Sequence, residues 1–356
     1  MKPDQGKNGR RVGFGLAVLL LCLSTAQAAV VDYRSRGDDH YFNLEYDEAI
    51  ADYLRLLEQS PGDPSVHNHI ATAILYKELH RLGMLEPSAF KGDNEFLKWE
   101  KPTPNPEVQK EFERYLFEGR KLAESILEES PDDRLARFAL SHNYGLQANY
   151  QFMIEKTYVG ALRNGNRARK HSNKLQKRYP EFTDAYLAAG VQEYVVGSLP
   201  WALRALIALG GVTGSKEKGE AYVTRVAKEG NLARNQARVL LVLLLRRERR
   251  PLEAAEVLKG LVRDYPRNYI LGLELASMYQ DAHRLECALE TFQWVQAKVK
   301  EEPAGFGRMP QRAQDALERK IEKLQTELDA TGASKGCPAV QPVIRPPATL
   351  SFQKTR

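Results

Sequence analysis

Cysteine is scarce in this sequence, at three residues in 356. That is too few for a disulfide-stapled miniprotein or a multi-cysteine zinc or iron–sulfur centre. Long apolar runs are missing beyond the first two dozen residues, which excludes a polytopic membrane protein. The familiar catalytic signatures are missing as well: there is no His-Glu-x-x-His, no Gly-x-Ser-x-Gly and no carboxylate cluster. His67 and His69 are spaced i, i+2, so on a helix they point about 200° apart and cannot share a metal ion. Nothing in these gaps favours an enzyme, a cofactor or a metal. With 43% hydrophobic and 28% charged residues, the chain is neither a disordered polymer nor a collagen-like fibre.

What is present begins with a leader. Lys2, Lys7, Arg10 and Arg11 form a basic head, Val12–Leu23 an apolar run, and Ala26-Gln27-Ala28 a small-x-small triplet. This is the order of a secretory signal peptide over residues 1–28, with cleavage before Ala29, and it predicts an exported, periplasmic chain. Leu21 before Cys22 argues against lipid attachment at that cysteine. Removing the segment, which carries four bases and one acid, takes the net charge from +6 to +3. The basic balance is therefore weak evidence for nucleic acid, and none is expected as a partner.

The remaining chain carries an internal repeat. Ala49, Tyr53, Leu56 and Pro61 recur as Ala254, Leu258, Leu261 and Pro266. Spacings of three and four put the apolar members on one helical face, and the proline ends the helix. The pattern continues after Pro131 with Leu140, Ser141 and Tyr144, and after Pro180 with Tyr186, Ala189, Gly190 and Tyr194. The register resembles the tetratricopeptide repeat (TPR), a helix–turn–helix unit of about 34 residues. Val30–Asp63 and Tyr269–Glu302 carry the fullest matches. The resemblance implies an all-α, right-handed superhelix (α-solenoid) of irregular tetratricopeptide-like helix pairs over 29–302.

The prolines also mark irregularity. Pro61 to Pro131 is 70 residues and Pro180 to Pro266 is 86, so insertions interrupt the array, one ending in a loop at Lys101–Pro106. Residues 303–331 read as a linker and a C-terminal capping helix, with Leu317, Ile321, Leu324 and Leu328 on one face. Residues 332–356 are proline-rich and read as a disordered tail. An oxidising compartment would allow Cys287 and Cys337 to bridge, but two free thiols are the favoured reading.

Gly197–Gly219, GSLPWALRALIALGGVTGSKEKG, resembles the signature segment of the inclusion-body-clearance group of irregular TPR proteins, with similarity over Ala185–Val295. Those relatives are intracellular, so only the architecture is carried over. Within this segment Gly210, Gly211 and Gly214 precede Ser215-Lys216, but the spacing of a phosphate loop is not met and turn glycines are the reading. Tyr194–Val212 is strongly apolar, with Arg204 its single charge. It is expected to plug the core of the superhelix. The rival reading makes it a site of peripheral membrane contact or apolar-ligand binding.

Charge is distributed in blocks. Arg163–Arg178 holds seven bases and no acid, whereas Asp38–Asp63 holds eight acids and one base. Solvated helix faces, or contacts between acidic and basic parts of neighbouring molecules, are the expectation; the alternative is an electrostatic patch for an acidic partner, an anionic lipid headgroup or a polyanionic cell-wall polymer.

In a superhelix of this type the first helix of each pair lines a concave groove that takes a protein or peptide partner. The register places Asn68, Thr72, Tyr76, Phe138, His142, Leu187, Tyr194, Ile270, Leu273 and Gln280 there. The Lys/Asn set with which some family members clamp a peptide carboxylate is not met, since its positions hold Asn68 and Thr72, or Phe138 and His142. The sequence predicts a non-enzymatic scaffold.

Overall fold

The computed structural model describes residues 31–85, 100–301, 306–331 and 337. The predicted leader, the insertion at 86–99 and all of the predicted tail except Cys337 lie outside the described residues. The described residues from Tyr33 onward form one compact unit.

Helices follow one another with no strand among the described residues. They form pairs: α1 (Tyr33–Phe42) with α2 (Tyr46–Gln59), α3 (Pro64–Arg81) with α4 (Pro106–Glu129), α5 (Arg134–Tyr150) with α6 (Tyr158–Arg178). The fourth pair is α7 (Tyr186–Gly197) with α9 (Lys216–Glu229), and α8 (Trp201–Ala208) is inserted between its members. Then come α10 (Arg234–Arg247) with α11 (Pro251–Asp264), α12 (Tyr269–Asp281) with α13 (Leu285–Glu301), and α14 (Gln311–Thr331). Each helix packs against the next, α8 aside, and α14 closes the stack on α13. This is the expected all-α solenoid of irregular helix pairs with its capping helix.

The turns explain the spacing of the prolines. Pro61, Pro131 and Pro266 each follow the end of a second helix, and two residues later Asp63, Asp133 and Asn268 cap the next first helix. Their side-chain oxygens accept from the amides of Ser65 (2.8 Å), Ala136 (2.7 Å) and Leu271 (3.2 Å). A cap of this kind is worth about 1 kcal/mol, so the motif both stops one helix and starts another. After Pro180 the capping position holds Phe182, and a short 3-10 turn, Thr183–Ala185, intervenes. There the buried Asp184 instead accepts from the amides of Asn231 and Ala233 ahead of α10. The long insertion is tied back by Glu78, which is buried, binds Arg81 with both carboxylate oxygens and accepts the Asn105 amide at 2.8 Å.

Two expectations are corrected. Cys287 and Cys337 form a disulfide, with Cα atoms 5.0 Å apart, rather than two free thiols. The bond holds one point of the C-terminal segment against α13. The second correction concerns Tyr194–Val212, which is not a core plug. Tyr194, Val196 and Gly197 are buried at the end of α7, but no residue of α8 is. The cause is the close crossing of α7 and α9: a Cβ at Gly219 would meet the Tyr194 backbone nitrogen at 2.5 Å. With those helices in direct contact, no space remains between them for α8.

Nothing in the sequence pattern indicates that the first pair returns against a late turn. Arg267, between α11 and α12, pairs with Asp39 (2.6 Å) and Glu45 (2.9 Å). Its backbone amide donates to Asn43 Oδ1, and Asn268 Nδ2 donates to the Phe42 carbonyl at 2.7 Å. Phe42 stacks on Tyr265 at 4.7 Å, and His80 Nε2 lies 2.6 Å from the Tyr269 hydroxyl. Arg308 reaches Glu48. Partners 189 to 260 residues apart thus join the beginning of the solenoid to its far end. The acidic block at Asp38–Asp63 finds its counter-charges in Arg267, Arg308, Arg36 and Lys77, not in the basic block of α6.

Candidate functional site

The first helices place a group of polar and aromatic side chains where α1, α3 and α5 approach one another. His69 on α3 stacks on Tyr53 at 5.1 Å, and its Nδ1 lies 3.9 Å from Asp38 Oδ1. The Tyr53 hydroxyl donates to that same carboxylate oxygen at 2.6 Å. Burial drives the His69 pKa down to about 3, with Arg34 adding to the effect. Burial likewise lowers His142, on α5, to about 4, helped by His69 and Arg34. Both imidazoles are therefore neutral near pH 7, able to stack and to exchange hydrogen bonds without carrying charge. Beyond them, Asn235 Nδ2 donates to the Tyr265 hydroxyl at 2.5 Å, and Arg238 pairs with Asp264.

The ten sequence-predicted groove residues divide into two sets. Asn68 is buried: its amide donates to the Ala139 carbonyl and its Oδ1 accepts from Asn143, each at 2.8 Å, which bridges α3 to α5. Thr72 is buried and donates to the Asn68 carbonyl. Tyr194 is buried with its hydroxyl donating to Glu248 at 2.6 Å, while Ile270 and Leu273 lie in the core around α12. The other five keep part of their surface. Tyr76 meets Tyr41 edge-on at 5.6 Å, and Gln280 lies at the end of α12. Phe138 packs edge-on against Phe182 at 5.4 Å and shares one apolar cluster with Leu187, and His142 stands one turn beyond Phe138. The structure thus brings Phe138 together with Leu187, and His142 with His69; Tyr76 and Gln280 stand apart.

Sequence reasoning missed His69, Arg34, Asp38 and Tyr265. In the sequence His69 has only His67 as a near neighbour of its kind, whereas His142, whose pKa it helps to lower, is 73 positions away. No local signal links them; only the stacking of α3 on α5 does. Elsewhere, Asp39, His40 and Glu45 bring three possible metal-ligand atoms within 4.8 Å of one another. Arg267 already supplies their counter-charge, and His40 Nδ1 lies 2.6 Å from Glu45. The glycines before Ser215 are turn and packing residues: Gly211 has φ +76°, and Ser215 caps α9. Arg246–Arg250 is an ion-paired elbow, with Arg246 on Glu274, and with Arg250 on Glu220 and Glu253.

No protein-family model matches the chain, and no curated protein matches its sequence. Among solved structures, the crystal structure of yeast Tom70 is similar over 83% of this chain and 89% of that one, at 11% identity and a TM-score of 0.22. The fold assignment rests on the chain's own helix packing.

Proposed function

We propose that this protein is an exported, non-enzymatic scaffold of tetratricopeptide type that holds a segment of a partner protein against the inner faces of its first helices. The observation that carries this reading is the half-open wall of α5 and α7, where Phe138, His142 and Leu187 keep accessible surface beside the neutral His69. Aromatic and aliphatic carbon there suits the apolar side chains of an extended or helical segment. Uncharged imidazoles suit its backbone amides and carbonyls, because they can bond to them without burying a charge. The wall is poorly suited to a strongly charged ligand. In this reading Ala185–Val295 takes its architecture, not its cellular role, from the inclusion-body-clearance group, and the chain works in the periplasm after cleavage before Ala29.

The test is photocrosslinking in cells from a reactive residue placed at position 142, with one at the exposed Glu128 of α4 as control. One protein captured from position 142 and not from 128, with its yield reduced severalfold by Phe138→Ala plus Leu187→Ala, is the expected result. Equal capture from both positions, or capture indifferent to the double substitution, would sink the groove reading. Tyr194 is unsuitable as a test position because it is buried and bonded to Glu248.

A further inference from the structure

We propose that α8 and its flanking turns form a membrane-docking hairpin that seats Trp201, Leu203, Leu206 and Leu209 in the interface of an anionic lipid bilayer. The helix is apolar and uncovered. Trp201 is 78% exposed, Leu206 64% and Leu209 87%. A cleft of about 290 Å³, lined in part by Val196, Trp201, Ala208 and Val212, separates it from the body. A helix that is hydrophobic nearly all round belongs inside something, and here the body does not provide it.

The distribution of side chains favours a bilayer over a protein groove as the occupant. At 3.6 residues per turn, the large apolar side chains from Trp201 through Leu209 sweep about 240° of the circumference. A protein groove grips one face of a helix, through anchors at i, i+3 and i+4. Hydrocarbon accepts every face. The remaining sector holds Arg204, whose guanidinium turns back to donate to the Gly197 carbonyl at 3.3 Å. Charge agrees with this. From Tyr194 to Lys216 there is no acidic residue; Arg204 is basic, and Lys216 is basic and pairs with Glu248 at 2.6 Å. From α6, Arg169 donates to the Thr213 carbonyl at 2.7 Å and shares the buried Glu193 with Lys218, each at 3.0 Å, which leaves more cations than carboxylates at the foot of the hairpin. Lipid phosphates complement that arrangement, and an indole at the start of the helix suits the headgroup boundary. Eight residues make a helix of about 12 Å, enough to enter one leaflet and far short of a ~30 Å hydrocarbon core. No described helix is long and apolar enough to cross a membrane.

The experiment is flotation of the full chain with vesicles of phosphatidylglycerol and phosphatidylethanolamine, read together with quenching of tryptophan fluorescence by brominated lipid. The wild type floats, and its lipid-dependent quenching disappears in Trp201→Phe. Leu206→Ser combined with Leu209→Ser lowers vesicle affinity by about tenfold or more with an unchanged circular dichroism spectrum. Phe138→Ala plus Leu187→Ala floats like the wild type, which separates this surface from the groove. A wild type that stays unbound, a double serine variant that floats equally, or quenching that survives Trp201→Phe would each overturn the proposal. So would a lipid-free dimer in sedimentation that the serine pair dissolves, because α8 would then be covered by a second copy.

Discussion

Helices α12 and α8 are both apolar around most of their circumference, and the fold treats them in opposite ways. Every residue from Tyr269 to Tyr279 in α12 is buried, and no residue of α8 is. Hydrophobicity states what a helix prefers; the neighbours decide whether it is granted. Helix α12 lies between α11 and α13, and the returning first pair covers its start through Asn268, Arg267 and Tyr269. Helix α8 is inserted between two helices that already touch. The first pattern gives a core element and the second gives a surface that must find its cover elsewhere.

Acid should separate the two most strongly. His69 and His142 have folded-state pKa values of about 3 and 4, below the ordinary value of 6.5. The unfolded chain therefore binds more protons between those limits. The stability from these neutral rings is complete above about pH 6.5 and drains away as pH falls toward 4 and 3, a loss of several kcal/mol for the pair. Chemical denaturation between pH 7 and pH 4 should show it, and His142→Gln should flatten the dependence. The segment from Tyr194 to Lys216 contains no histidine or carboxylate, so the same acidification should leave the exposure of Trp201 unchanged until the body unfolds. An early change in Trp201 emission would mean that α8 depends on the body more than its burial suggests.

Truncation gives the next contrast. Leu275 is fully buried in α12, and Leu275→Ala should cost about 2–5 kcal/mol through lost transfer energy and the cavity left behind. Leu206→Ala removes the same atoms from an exposed site and should stay within about 0.5 kcal/mol. Urea unfolding of the two variants measures both. Similar losses would mean that α8 packs against the body in solution.

The comparison also marks what could be read from the sequence. The helix pairs were legible because a small residue, a large apolar residue and a terminating proline recur at helical spacing, as in Ala49, Tyr53 and Pro61. That signal lies within a single repeat. The insertion of α8 was legible as an apolar stretch, but its exposure was not, because it depends on how closely Gly219 lets α9 approach α7. The surroundings of the proposed groove residues were legible only in part. Register identifies the first helices, yet Asn68 and Tyr194 are turned into contacts between helices by Asn143 and Glu248, which come from other repeats. The approach of His69 to His142 joins neighbouring repeats, the Cys287–Cys337 bond ties the C-terminal segment to α13, and the return of the first pair onto Arg267 joins distant repeats. A one-dimensional pattern does not encode the curvature that brings such residues together.

That return permits the finest test. Burial pushes the Glu45 carboxylate up, but hydrogen bonds from Arg267 and His40 outweigh it and hold it below its ordinary value. Arg267→Ala leaves this nearly buried carboxylate with His40 alone and removes the pair to Asp39. Arg267 is itself about one-third exposed, so water takes up part of the loss, and the expected cost is about 1–2 kcal/mol. If the first pair is what covers the start of α12, that cost should be local: amides from Tyr269 to Leu273 should exchange faster, while those of α8 stay as they were. Arg267→Lys should recover part of the protection, because it restores the charge without the fork that reaches Asp39 and Glu45 together. Unchanged exchange in α12 would show that α11 and α13 suffice to bury it. The contrast with α8 would then come from those two flanking helices alone, and the closure of the solenoid would serve to fix the position of α1 and, through it, of Asp38 beside His69.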